Sequence, residues 1–72
     1  MKITKSIISK MYGYSSRTLL NLIEDQPEIM KFWGTRDTVF RMQEQRLIFN
    51  HLGVPFKCER ELVEYVNFVL KQ

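Results

Sequence analysis

Apolar positions recur along the first 24 residues in two short bursts with helical spacing. Ile7, Ile8 and Met11 follow the i, i+1, i+4 pattern of an amphipathic helix, and Thr4 stands where an N-cap belongs. Gly13 predicts the end of that helix, because helices commonly close on a residue at positive φ, where glycine has no Cβ penalty. Leu19, Leu22 and Ile23 mark a second buried stripe, with Ser15 or Ser16 as its cap and Leu20 off the stripe. Pro27 disfavours helical geometry at Gln26, so the second helix is expected to stop near Asp25.

The middle of the chain, IMKFWGTRDTVFRM over residues 29–42, supports two readings. Two apolar-aromatic stretches, MKFW and TVFR, flank Gly34-Thr35-Arg36-Asp37, which suits a short β-hairpin or irregular wing. The competing reading is a helical turn after Pro27, then a loop ending in an Asp37 or Thr38 cap. The hairpin is the expectation carried forward. Beyond it, Gln45, Ile48, Phe49 and Leu52 share one face of a helix over about 42–52, with Gly53 and Pro55 as its stop. A last helix is expected over about 58–70. Its Leu62, Val63, Tyr65, Val66, Phe68, Val69 and Leu70 exceed what one buried stripe requires, so Tyr65, Phe68, Val69 and Leu70 form a candidate dimer surface.

Composition narrows the class. Seventy-two residues, 44% hydrophobic and 26% charged, make one folded domain spanning 1–72, mainly α, with a core only just adequate for independent stability. That small core makes self-association or a partner a reasonable expectation. No apolar run approaches the roughly 20 residues that span a bilayer, and the N-terminus lacks a secretory apolar segment. The expected location is the cytoplasm, in association with the nucleoid. Cys58 is the only cysteine, so an internal disulfide is excluded.

Charge changes the picture more. Residues 1–24 carry Lys2, Lys5, Lys10 and Arg17 against Glu24 alone, while 25–56 and 57–72 are each balanced, so the net +3 sits entirely in the first third. That third also reads as a helix-turn-helix over 4–24: Ser9 supplies a small residue inside the first helix, Gly13 the turn, and Ile8, Leu19 and Leu22 the branched apolar lock. The second helix of such a unit enters the major groove by its N-terminal residues. Here Ser16, Arg17, Thr18 and Asn21 would reach bases, Arg17 pairing with guanine and Asn21 with adenine. Lys5, Lys10, Tyr14, Arg36 and Arg41 are candidate phosphate contacts, which position without specifying. The bland alternative is an α-hairpin in which Gly13 merely caps a helix and Arg17 and Lys10 are solvated surface.

Residues 3–24 resemble the opening of MerR-type and excisionase-type DNA-binding domains, whose first helix, turn and Ser/Thr-capped second helix match SIISKMYGYSSRTLLNLIE. FRMQEQRLIFNHLGVP is similar to the third helix and its exit in short helix-turn-helix proteins of bacterial mobile elements and prophages. Together the two segments cover about half the chain. The resemblance implies a small winged helix-turn-helix domain that reads duplex DNA. MerR-type wings are rich in Arg and Tyr, whereas FWGTRDTVFR supplies Arg36 and Arg41 together with Asp37. No effector domain follows, so the resemblance does not imply an inducer-sensing regulator.

No residue set speaks for catalysis, metal or cofactor. His51 reads as a helix-end residue favoured by the dipole, and Cys58 has no ligand spacing to it. Glu59, Glu61 and Glu64 suit the start of the last helix, Ser15 and Ser16 suit caps, and Trp33, Phe32 and Phe40 suit a core better than a base-stacking platform. The expected function is a sequence-specific duplex-DNA-binding protein acting as a repressor, excision factor or architectural accessory of a phage or mobile element, binding as a dimer or cooperative oligomer. The rival is a protein-binding module that blocks a host enzyme or partners another element-encoded protein.

Overall fold

A computed structural model describes residues 2–34, 39–55 and 58–72. They form five short helices: α1 (Lys5–Tyr12), α2 (Ser16–Ile23), α3 (Pro27–Trp33), α4 (Met42–Leu52) and α5 (Arg60–Leu70). No strand occurs among the described residues. α4 packs on α5 and on α3, and α1 packs on α2.

Local chemistry accounts for most boundaries. The Thr4 hydroxyl accepts the Ile7 N–H at 3.3 Å and opens α1. Gly13, at φ 69°, closes it, and the Ser9 carbonyl accepts the N–H groups of both Gly13 and Tyr14. The Ser9 hydroxyl in turn donates to the Tyr14 carbonyl, so one small side chain stitches the turn. The Ser15 hydroxyl accepts the Thr18 N–H at 3.2 Å and opens α2. That helix ends at Ile23, two residues before the expected Asp25, and Gln26 adopts the extended ψ of 93° that a following proline demands.

Pro27 starts α3, and here the hairpin expectation is corrected. Residues 29–33, read as its first arm, are helical: proline at N1 presets φ, and Ile29 and Trp33, four apart, both turn into the core. The expected turn, with Thr35, Arg36, Asp37 and Thr38, lies outside the described residues. Residues 39–41 carry no strand; the Phe40 N–H donates to the Ile3 carbonyl at 2.8 Å, tying the N-terminal segment to the approach to α4. α4 then begins at Met42 with Arg41 as its N-cap residue, and the Glu44 carboxylate accepts the Arg41 N–H at 2.7 Å. α5 begins at Arg60, slightly later than expected.

The core runs through all five helices, with Ile8, Leu19, Ile23, Ile48, Phe49, Val66 and Val69 at most 1% exposed. Trp33 stacks on Phe40 with ring centroids 5.4 Å apart, and Phe32 meets Phe40 edge-on at 5.6 Å, which places all three aromatics in or against the core. Two apolar assignments need correction. Leu22 is 40% exposed, because at 100° per residue it lies about 80° round α2 from the midline of Leu19 and Ile23. Val69 is fully buried within this chain's own core, so it is not part of any free surface.

Among the described residues one polar side chain, that of Gln45, is buried with these apolar ones. Gln45 donates through its amide to the Phe40 carbonyl at 2.8 Å and accepts from the Tyr65 hydroxyl, joining the loop before α4 to α5. Removing either end leaves buried polar atoms unpaired, which costs more than a hydrogen bond contributes. Gln45→Leu is therefore expected to lower the unfolding free energy by about 2–3 kcal/mol and Tyr65→Phe by about 1 kcal/mol. In urea denaturation the double substitution should cost less than the sum of the two, because the second change removes an atom already unpaired.

Candidate nucleic-acid interface

The face of α2 opposite Leu19 and Ile23 is built from the residues expected to read bases. With 3.6 residues per turn, Arg17 and Asn21 lie in line one turn apart, with Thr18 beside them. Ser16, Arg17, Thr18 and Asn21 are all exposed. The Ser15 hydroxyl donates to the Thr18 hydroxyl at 3.0 Å while accepting the Thr18 N–H, so the Thr18 oxygen is oriented and its own proton points elsewhere. Ser16 stands apart on the flank of the helix. It lines a groove with Lys5, Leu20, Met30 and Trp33 between α1, α2 and α3. Glu24 and Asp25, both exposed, follow the C-terminal end of the same helix. Anionic ligands are therefore favoured only toward its N-terminal half, where the dipole is also positive.

The expected phosphate contacts scatter more widely. The Lys5 ammonium sits 5.6 Å from the centroid of the Trp33 ring, so this cation already has a π-face partner. Lys10 is exposed and lines a different groove, between α1 and the start of α5, with Ile7, Leu62, Glu59 and Glu61. Tyr14 is 41% exposed and stacks nearly parallel on Tyr12, with centroids 6.2 Å apart. Arg41 is exposed at the start of α4, and Arg36 lies outside the described residues. Lys5 thus lies against α3 at the groove that Ser16 lines, whereas Lys10 lines a separate groove with Glu59 and Glu61.

Two side chains join the end of α4 to α1 and to α2. The Tyr12 hydroxyl, at the end of α1, donates to the Gly53 carbonyl just past α4. His51, in the last turn of α4, meets the Leu22 carbonyl of α2 at 2.8 Å through Nε2. A carbonyl only accepts, so Nε2 carries the proton. Nothing in the spacing of Tyr12 or His51 announces a partner; each pairs with a backbone carbonyl distant in the chain. Among the described residues no group of His, Cys, Asp and Glu is arranged to hold a metal ion. Among them, too, no helix is long and apolar enough to cross a membrane.

Burial of the Tyr12 ring pushes its hydroxyl well above the ordinary tyrosine value, with Cys58 and Tyr14 adding to the effect. The neutral form is thus favoured in the folded state. A group that holds its proton more tightly when folded contributes stability below its unfolded pKa of about 10, and loses it as pH rises past that value. Stability measured by urea denaturation should fall between about pH 9 and about pH 11, and Tyr12→Phe should remove that part of the fall.

Comparison with known proteins adds no relationship: no family model, curated protein or solved structure matches this chain.

Proposed function

We propose that the chain is a small sequence-specific DNA-binding protein that works by occupying a duplex site, with α2 in the major groove. The observation that carries this reading is the outward face of α2, where Arg17, Thr18 and Asn21 project together from a helix that buries Leu19 and Ile23 on its other side. The localisation of the whole net charge of +3 to residues 1–24 supports it, since phosphate attraction supplies the sequence-independent part of duplex binding. Arg17 and Asn21 specify, as the bidentate partners of guanine and adenine, while Lys5 and the α2 N-terminal amides attract phosphate. In biological terms this is the behaviour of a repressor, excision factor or architectural accessory of a phage or mobile element, in the manner of the MerR- and excisionase-type domains that residues 3–24 resemble. A cytoplasmic, nucleoid-associated location goes with that reading. Of the wing expected over residues 29–42, residues 29–33 are helical and 35–38 lie outside the described residues.

A second reading, a module that docks on another protein, is favoured by a different observation. Phe68 is 52% exposed on α5, and Val39, Met42 and Leu47 are also exposed, which is much apolar surface for so small a chain. The two readings part in their salt response.

Fluorescence anisotropy with mixed duplex DNA should show binding that weakens steeply between about 50 and 200 mM salt. Arg17→Ala/Asn21→Ala should weaken binding to a selected site by roughly 30-fold or more, since each bidentate pair with a base supplies about 1–3 kcal/mol. Absence of duplex binding at the lower salt would overturn the DNA reading and favour the protein-docking one. A single eight-residue helix offers few groups to a duplex, so the protein should load as a dimer or cooperative oligomer through Phe68 and Leu70. Sedimentation at tens of micromolar should detect self-association that Phe68→Ser abolishes; purely monomeric wild-type protein would refute it.

A further inference from the structure

The geometry points to His51 as a positioning residue that sets the pose of α2 and, through it, the alignment of Arg17 and Asn21. The inference rests on the DNA-binding reading for its functional consequence, but its structural part stands without it.

The argument begins with the backbone at the end of α2. In a helix that continued, the Leu22 carbonyl would receive the N–H of Gln26. Pro27 forces Gln26 out of helical geometry, and the Gln26 N–H closes instead on Ile23 at 2.8 Å. Glu24 donates to Leu20, so neither of these two amides caps Leu22. The carbonyl that the proline leaves over is the one that His51 Nε2 reaches, at 2.8 Å, from 29 residues along the chain.

The same turn of α4 holds the end of α1. Gly53, two residues after His51, adopts φ 84° and gives its carbonyl to the Tyr12 hydroxyl. The last turn of α4 therefore grips the C-terminal ends of both α1 and α2. Apolar packing through Leu19 and Ile23 presses α2 onto the core, yet such packing is non-directional and leaves rotation and sliding of a short helix loosely determined. A hydrogen bond to one named carbonyl is directional. Arg17 and Asn21 lie five residues and one residue before Leu22, so a small rotation about that anchor displaces the base-reading face as a unit. His51 itself is exposed, and its removal opens no cavity in the core.

Two measurements on the full chain test this. In free protein, residual dipolar couplings of the α2 amides relative to those of α4 report the helix pose. His51→Ala should reorient α2, and His51→Gln, whose side-chain amide can donate to the same carbonyl, should restore it. An unchanged pose in His51→Ala overturns the inference, whatever the protein does with DNA. In the second measurement, a duplex selected from a random pool is compared with its shuffled counterpart. His51→Ala should lower the discrimination between them roughly tenfold, the order expected when one bidentate pair with a base is broken, while the salt slope stays unchanged. Lowered thermal stability with full discrimination would reduce His51 to an ordinary structural residue. Wild-type protein that binds neither duplex, together with a reoriented α2 in His51→Ala, would sink the DNA reading and leave the positioning role intact.

Discussion

Helices of seven to eleven residues leave nearly as many backbone groups unpaired at their ends as they pair within, and that constraint shapes this molecule. Each end must find its partners nearby or across the fold. Thr4, Ser15 and Glu44 serve the N-terminal ends locally through side-chain oxygens. The C-terminal ends draw on local amides, as at Ser9, and also on partners at longer range, where α4 supplies His51 to Leu22 and the Tyr12 hydroxyl goes to the exit from α4. Tertiary structure here is partly a matter of satisfying helix ends.

The division between local and distant partners also governs what is legible in the sequence. The caps at Thr4 and Ser15, the turn at Gly13, the two helices of residues 4–24 and the helix ending before Gly53 follow from residue types and spacings within one or two turns, and the structure contains them. Residues 29–33 resemble a strand because Phe32, Trp33 and their apolar neighbours suit one by propensity. Pro27 as a helix starter and the burial of the Ile29–Trp33 pair outweigh that propensity in the folded chain. Apolar patterns alone also misplace Leu22 and Val69, since a short helix touches its neighbours over a narrower or differently centred arc than its hydrophobic residues suggest. The roles of Gln45, Tyr12 and His51 depend on partners 5 to 41 residues away and carry no local signature.

The candidate site was legible to the same degree. Exposure of Arg17, Thr18 and Asn21 follows from the stripe that buries Leu19 and Ile23, so one helix period suffices to gather that outward set, whereas Ser16 falls on the flank toward α1 and α3. Cations assembled from separate elements did not gather in the same way. Lys5 lies against an indole and Lys10 lines a groove with Glu59 and Glu61, because their surroundings are decided by where α3 and α5 happen to pack. A face carried by a single helix is a local property, whereas a charged surface spread over several elements is a tertiary one.

The sole tryptophan occupies a junction in this arrangement. Trp33 lies against Phe40, whose backbone holds the N-terminal segment at Ile3, and beneath the ammonium of Lys5 on α1, beside the groove that Ser16 also lines. A change that lifts Lys5 from the indole or frees the N-terminal segment alters the polarity around one chromophore. The protein thus carries an intrinsic optical reporter at the meeting point of α1, α2 and α3, with no second indole to blur its emission.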